Sequence, residues 1–121
     1  PQDETAVTYA PKITKQQARI DWHQSADAII RQVRAFSGWP VAYTTFNQYN
    51  VRIFAAEVVE TQEKLPAPGT IISLNKNSID TAALDHICRL QIIQFPGAKA
   101  LPAAEILKAN RYGLTPRARF L

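Results

Sequence analysis

At 121 residues the chain is long enough for one domain with an ordinary core, or one domain with a linker, and needs no stapling by disulfides. Apolar residues make up 46% and charged residues 20%, which excludes a disordered chain, and no apolar run of about 18 residues is present to span a bilayer as a helix. The net charge of +4 is concentrated in residues 96–121, where Lys99, Lys108, Arg111, Arg117 and Arg119 face Glu105 alone. Such a local excess points either to a polyanionic partner or to a solvated surface.

Residues 1–21 carry Pro1 and Pro11, many polar residues and no helical period, and read as an extended linker holding Lys12, Lys15 and Arg19. Ser25 offers a helix N-cap. Ala26, Ile29, Ile30 and Val33 then recur at the spacing of an amphipathic helix. Asp27 near its start and Arg31 and Arg34 near its end complement the helix dipole. Gly38 and Pro40 stop the helix, and Trp39 between them reads as an aromatic plug that packs the helix, with Phe36, against the strand-rich region beyond.

That region begins at Val41. Val41–Phe46, Val51–Val59, Thr70–Leu74, Ile79–Leu84 and Ile87–Phe95 are rich in β-branched and aromatic residues and read as strands. Asn47–Asn50, Asn75–Ser78 and Asp85-His86 are short connections, and Glu60–Gly69 is a longer loop with two prolines. Pro102 suits the first turn of a second helix, with Ala103, Ala104, Ile106, Leu107 and Ala109 on its apolar side and an end near Asn110. A basic tail, Arg111–Leu121, carries Tyr112 and Phe120. The predicted fold class is therefore mainly β: a five-stranded OB-like, Greek-key barrel with an N-terminal helix and a C-terminal helix. Residues 1–21 are expected to be an interdomain linker and 22–121 the domain.

The residue types that carry chemistry are sparse. His23, His86 and Cys88 are too few and too scattered for a metal site, which needs three or four clustered ligands. The four glycines, at 38, 69, 97 and 113, form no phosphate-cradling loop, and no nucleophile motif is present. No catalytic, cofactor-binding or metal-binding residue is expected. The single Cys88 permits no internal disulfide and suits a reducing compartment. The chain starts at Pro1, contains no Met and shows no signal peptide, so a piece of a longer protein is expected.

Several segments, in order, carry a family likeness: Tyr9-Ala10-Pro11-Lys12-Ile13, Ala18-Arg19-Ile20-Asp21-Trp22, Arg31-Gln32-Val33-Arg34-Ala35-Phe36, Trp39-Pro40, Ala42-Tyr43-Thr44, Gly69-Thr70-Ile71, Leu90-Gln91-Ile92 and Phe95-Pro96-Gly97-Ala98-Lys99. Together they resemble the C-terminal domain of methionyl-tRNA formyltransferases over nearly the whole chain. Pro102, Gly113, Thr115 and the loop Glu60–Pro68 depart from the family pattern.

The resemblance implies an enzyme that formylates initiator methionyl-tRNA in translation initiation, with 10-formyltetrahydrofolate as co-substrate. Its catalytic residues and folate pocket would belong to an N-terminal domain acting in cis, leaving this chain inactive alone. The partners implied are initiator methionyl-tRNA and that catalytic domain, with no membrane, in the cytoplasm. Lys12, Lys15, Arg34, Lys99, Arg111 and Arg117 are the expected phosphate contacts, since Lys and Arg release counterions on binding a polyanion. The alternative is a structural barrel in another formyltransferase-like enzyme, such as a nucleotide-sugar formyltransferase or formyltetrahydrofolate dehydrogenase. The basic linker and tail favour the first reading.

Overall fold

The computed structural model describes residues 15–36, 41–75, 77–109 and 112–121. A 3-10 turn, Lys15–Ala18, leads into helix α1, Ala26–Ala35. The four expected apolar residues, Ala26, Ile29, Ile30 and Val33, are the buried ones, and they pack α1 on the sheet. Ser25 is the N-cap, its Oγ accepting the Ala28 N–H at 3.2 Å. A second cap comes from far along the chain: Asp85 Oδ1 accepts the Ala26 N–H at 2.9 Å. That bond holds the Asp85 carboxyl below its ordinary pKa, because a helix N-terminus favours negative charge. The helix ends on Phe36, half-buried against the core, whose N–H returns to the Gln32 carbonyl. Gly38, Trp39 and Pro40, the expected stop and plug, lie outside the described residues.

Five main strands come next: β1 Tyr43–Phe46, β2 Tyr49–Val59, β3 Ile71–Leu74, β4 Ile79–Ala82 and β5 Ile87–Gln94. They form one antiparallel sheet in the order β1-β2-β5-β4-β3, curled into a half-barrel as the OB-like expectation requires. The loop of residues 60–70 carries the chain from β2 to the far edge of the sheet, and β3, β4 and β5 then return by short turns.

Two local differences from the sequence pattern have clear causes. The β1–β2 turn is only two residues long, because Asn47 and Gln48 both take positive φ (48° and 74°), the backbone of a tight hairpin. Tyr49 therefore pairs with Phe46 and belongs to the strand. A sixth strand, β6 Leu101–Pro102, pairs with Ile92 and Ile93 of β5, so Pro102 ends a strand immediately before helix α2, Ala103–Ala109. Proline tolerates that position because it sits where only two residues pair. The pairing of β2 with β5 shifts register around Ala55, which ends the strict alternation seen at Val51 and Ile53.

The C-terminal segment is part of the barrel wall. Ile71 donates its N–H to the Ala118 carbonyl, Arg117 to Ile71, and Phe120 to Gly69, at 2.7, 2.8 and 2.8 Å. Leu121 and Thr45 then exchange both backbone bonds, at 2.8 and 3.3 Å. The segment thus bridges the outer edges of β3 and β1, the two ends of the open sheet. Leu114 and Phe120 are completely or almost completely buried. The described part of the expected basic tail ends in a closing strand, residues 118–121, with Arg119 exposed on it and Arg117 exposed in the turn before it.

The contact that seats this strand is tight. The Phe120 ring stacks on Trp22 at 5.7 Å and meets Phe46 at 5.6 Å. The Thr44 hydroxyl accepts the Trp22 indole N–H and donates to the Leu121 carbonyl, both at 2.9 Å. Gly69 has φ +91°, and a Cβ there would stand 2.5 Å from the Phe120 carbonyl oxygen, so only glycine fits. On the opposite part of the sheet, Arg89 of β5 donates through Nε and Nη2 to buried Asp80 of β4 at 2.9 and 3.1 Å. That pair raises the Arg89 pKa.

Candidate nucleic-acid interface

Register places cations that are remote in sequence in one row. Residue 19 pairs with Tyr43 of β1, Tyr43 with Arg52 of β2, and Arg52 with Gln94 of β5. At each strand the flanking residues are buried: Ala18 and Ile20, Ala42 and Thr44, Val51 and Ile53, Ile93 and Phe95. Arg19, Tyr43, Arg52 and Gln94 therefore all point outward, an arginine-tyrosine-arginine-glutamine row. With strands about 4.8 Å apart, the row spans about 14 Å of the outer face.

Each end of the row is anchored. Gln32 of α1 donates through Nε2 to the carbonyls of Gln17 and Arg19, at 3.1 and 2.9 Å, which fixes the backbone that carries Arg19. Ile20 adds an N–H bond to the Tyr43 carbonyl at 2.8 Å. At the other end, Gln94 accepts from Arg52 at 3.4 Å and donates to the Ala98 carbonyl at 2.7 Å, tying down the loop that carries exposed Lys99. Among the described residues, neither Arg19 nor Arg52 nor Lys99 forms an ion pair. Paired cations lie elsewhere: Arg89 on Asp80, and Lys108 on Glu105 at 2.9 Å.

Beside Arg19 the surface opens into a groove of about 380 Å³, lined by Arg19, Trp22, His23, Pro68 and Arg119 among others. Arg119 donates its Nε–H to the Pro68 carbonyl at 3.1 Å, which aims the guanidinium along the loop. Asp21 also lines the groove, with its carboxylate taken by the His23 N–H at 3.0 Å and the His23 ring at 3.4 Å. Arg119 extends the cationic band past Arg19 onto the closing strand.

The six expected phosphate contacts are distributed unevenly. Lys99 joins the end of the row. Arg117 is exposed, at φ 78°, in the turn that precedes Arg119. Arg34 is exposed in the last turn of α1. Lys15 begins the 3-10 turn that leads to Arg19, with only its backbone described, and Lys12 and Arg111 lie outside the described residues. Arg19, Arg52 and Arg119 were not singled out by the sequence. Their signal was partly present, since Arg52 alternates with buried Val51 and Ile53, but register alone joins them.

Among the described residues, no three His, Cys, Asp or Glu side chains gather as metal ligands. Cys88 is fully buried on β5, and burial pushes its thiol up to about 12. The His86 ring accepts the Thr61 N–H through Nδ1 at 3.2 Å and so secures the long loop after β2.

Residues 12–111 match the family described as formyl transferase, C-terminal domain. The chain belongs to that family. The methionyl-tRNA formyltransferase of Stenotrophomonas maltophilia (strain K279a) is 44% identical over 111 residues, covering 92% of this chain and 36% of the relative. The chain thus spans about a third of the length of that curated relative. Among solved structures, a multiply substituted HypX variant from Aquifex aeolicus superposes with a TM-score of 0.66 at 23% identity, over 88% of this chain and 19% of HypX. HypX from the same organism in complex with tetrahydrofolic acid gives 0.65 at 23% identity, over 80% of this chain and 17% of HypX. These structural likenesses establish a shared fold.

Proposed function

We propose that this chain is the RNA-contacting C-terminal domain of a methionyl-tRNA formyltransferase. It would grip the body of initiator methionyl-tRNA while a catalytic domain in cis transfers the formyl group from 10-formyltetrahydrofolate. The observation that carries the reading is the outward row of Arg19, Tyr43, Arg52 and Gln94, continued by Lys99 and Arg119. Cations without ion-pair partners retain their full attraction for phosphate, whereas an exposed ion pair has already spent much of its field on its own partner. A barrel with a purely structural role gives no reason to align such groups across three strands. The 44% identical relative supports the same reading over nearly the whole chain.

Arg34 and Arg117, together with Lys12, Lys15 and Arg111, are proposed as flanking contacts, which suits RNA recognition by shape and backbone. Catalytic groups are assigned to the catalytic domain, so the chain alone would bind without turning over. The test is binding of initiator methionyl-tRNA to this chain at about 50 mM salt. Charge reversal at Arg19 and Arg52 should weaken binding at least tenfold, and reversal at Lys108, already paired, should change it little. A folded chain that binds no tRNA at low salt overturns the reading.

A further inference from the structure

One end of the barrel carries an aromatic cluster that runs from the core, at Phe95, to the surface, at Tyr49. Phe95 and Tyr112 stack face to face at 3.7 Å with planes 3° apart. Tyr49 stands 5.8 Å from Phe95 and 5.3 Å from Tyr112, inclined at 78° and 80° to them. Being nearly equidistant and nearly perpendicular, the Tyr49 ring lies beside the stack. An edge-to-edge approach at that distance would collide ring hydrogens, so Tyr49 receives the edges of both rings on one face. Tyr49 is nonetheless 40% exposed, one of the few large apolar side chains that are. Among the described residues, no aromatic ring covers its opposite face.

The platform is rigid. Tyr49 directly follows the positive-φ turn at Asn47 and Gln48 and pairs with Phe46. Phe95 is completely buried and begins the turn closed by the Ala98 N–H at 3.2 Å. The same turn leads to exposed Lys99, whereas Arg52, three residues beyond Tyr49 on β2, lies on the opposite face of the strand. A flat, braced ring face with a cation on the neighbouring loop is the arrangement that stacks a base and holds its phosphate.

We infer that the face of Tyr49 away from the Phe95–Tyr112 stack is a stacking site for an unpaired RNA base. The inference rests on the proposed RNA contact and adds to it a preference for unpaired over paired segments. Every base has a π-face, so the site takes any base, and only a base free of its helix can reach it.

The experiment compares a labelled oligoadenylate about eight nucleotides long with an RNA duplex of equal length, by fluorescence anisotropy at low salt. The Tyr49→Leu variant should lose about tenfold on the single strand and remain within about twofold on the duplex. Tyr49→Phe, which keeps the ring, should bind both as the parent does. In the parent chain, Tyr49 ring-proton resonances should move upfield on titration with the oligoadenylate, a readout that does not depend on how the leucine variant folds. Unmoved resonances, or equal losses on both RNAs, overturn the stacking site while leaving the RNA contact standing. If the parent binds neither RNA, both fall.

Discussion

Replacing Gly69 by alanine tests how the barrel closes. The perturbation has two components. Any L-residue at φ +91° carries backbone strain of about 1 kcal/mol or somewhat more. The added methyl also stands 2.5 Å from the Phe120 carbonyl oxygen, a backbone atom that must move. Moving it strains the bond between the Phe120 N–H and the Gly69 carbonyl, at 2.8 Å, and the stack of Phe120 on Trp22. A hydrogen bond is worth about 1 kcal/mol and an aromatic pair about the same. The sum is about 3 kcal/mol, or about 10 °C in melting temperature for a domain of this size. Gly97 provides the control, because its φ is +75° but nothing lies within 4 Å of where its Cβ would be. Thermal unfolding followed by circular dichroism should show Gly97→Ala losing only the strain component, about 1 kcal/mol. Equal losses in the two variants would refute the claim that the C-terminal segment is wedged against residue 69.

Thr44→Val keeps the side-chain shape but strands the buried Trp22 indole N–H and frees the Leu121 carbonyl, so chemical denaturation should report a loss of about 2 kcal/mol. Asp85→Ala should cost about 1 kcal/mol through the lost cap on Ala26, with Asp85→Asn largely restoring it. Because the folded-state pKa of Asp85 is depressed, its contribution is complete above the ordinary carboxylate pKa and disappears as pH falls through the depressed value; the alanine and parent curves of stability against pH should therefore converge in acid. Cys88, with its thiol raised to about 12 and fully buried, should react with a disulfide reagent at neutral pH only through unfolding, so its rate should rise steeply with urea; fast reaction in native buffer would contradict the burial.

Much of the fold was legible because local signals agreed. The apolar spacing from Ala26 to Val33, the Ser25 cap and the β-branched runs all pointed to the elements observed. Boundaries failed where two residues did the work expected of four, as at Asn47-Gln48, and where a strand of two residues, Leu101–Pro102, is defined only by its partner. The tail misled for a physical reason. Arg119 sits between half-buried Ala118 and buried Phe120, and a turn at Arg117 (φ 78°) starts the segment, a short pattern that the charge excess masks. The candidate interface was the least legible part. Arg19, Arg52 and Lys99 are spread over about eighty positions of the chain, and only backbone register and the Gln94 tether bring them together. The family, by contrast, was readable from an ordered set of short segments.

The measurement closest to the central claim is the salt dependence of tRNA affinity. For the parent chain, log K against log salt should be a line whose slope counts the phosphates neutralised. Removing the guanidiniums of Arg19, Arg52 and Arg119 together should flatten that slope by about three while leaving the melting temperature within a few degrees. A slope unchanged in the folded triple variant would contradict the assignment of this face to RNA.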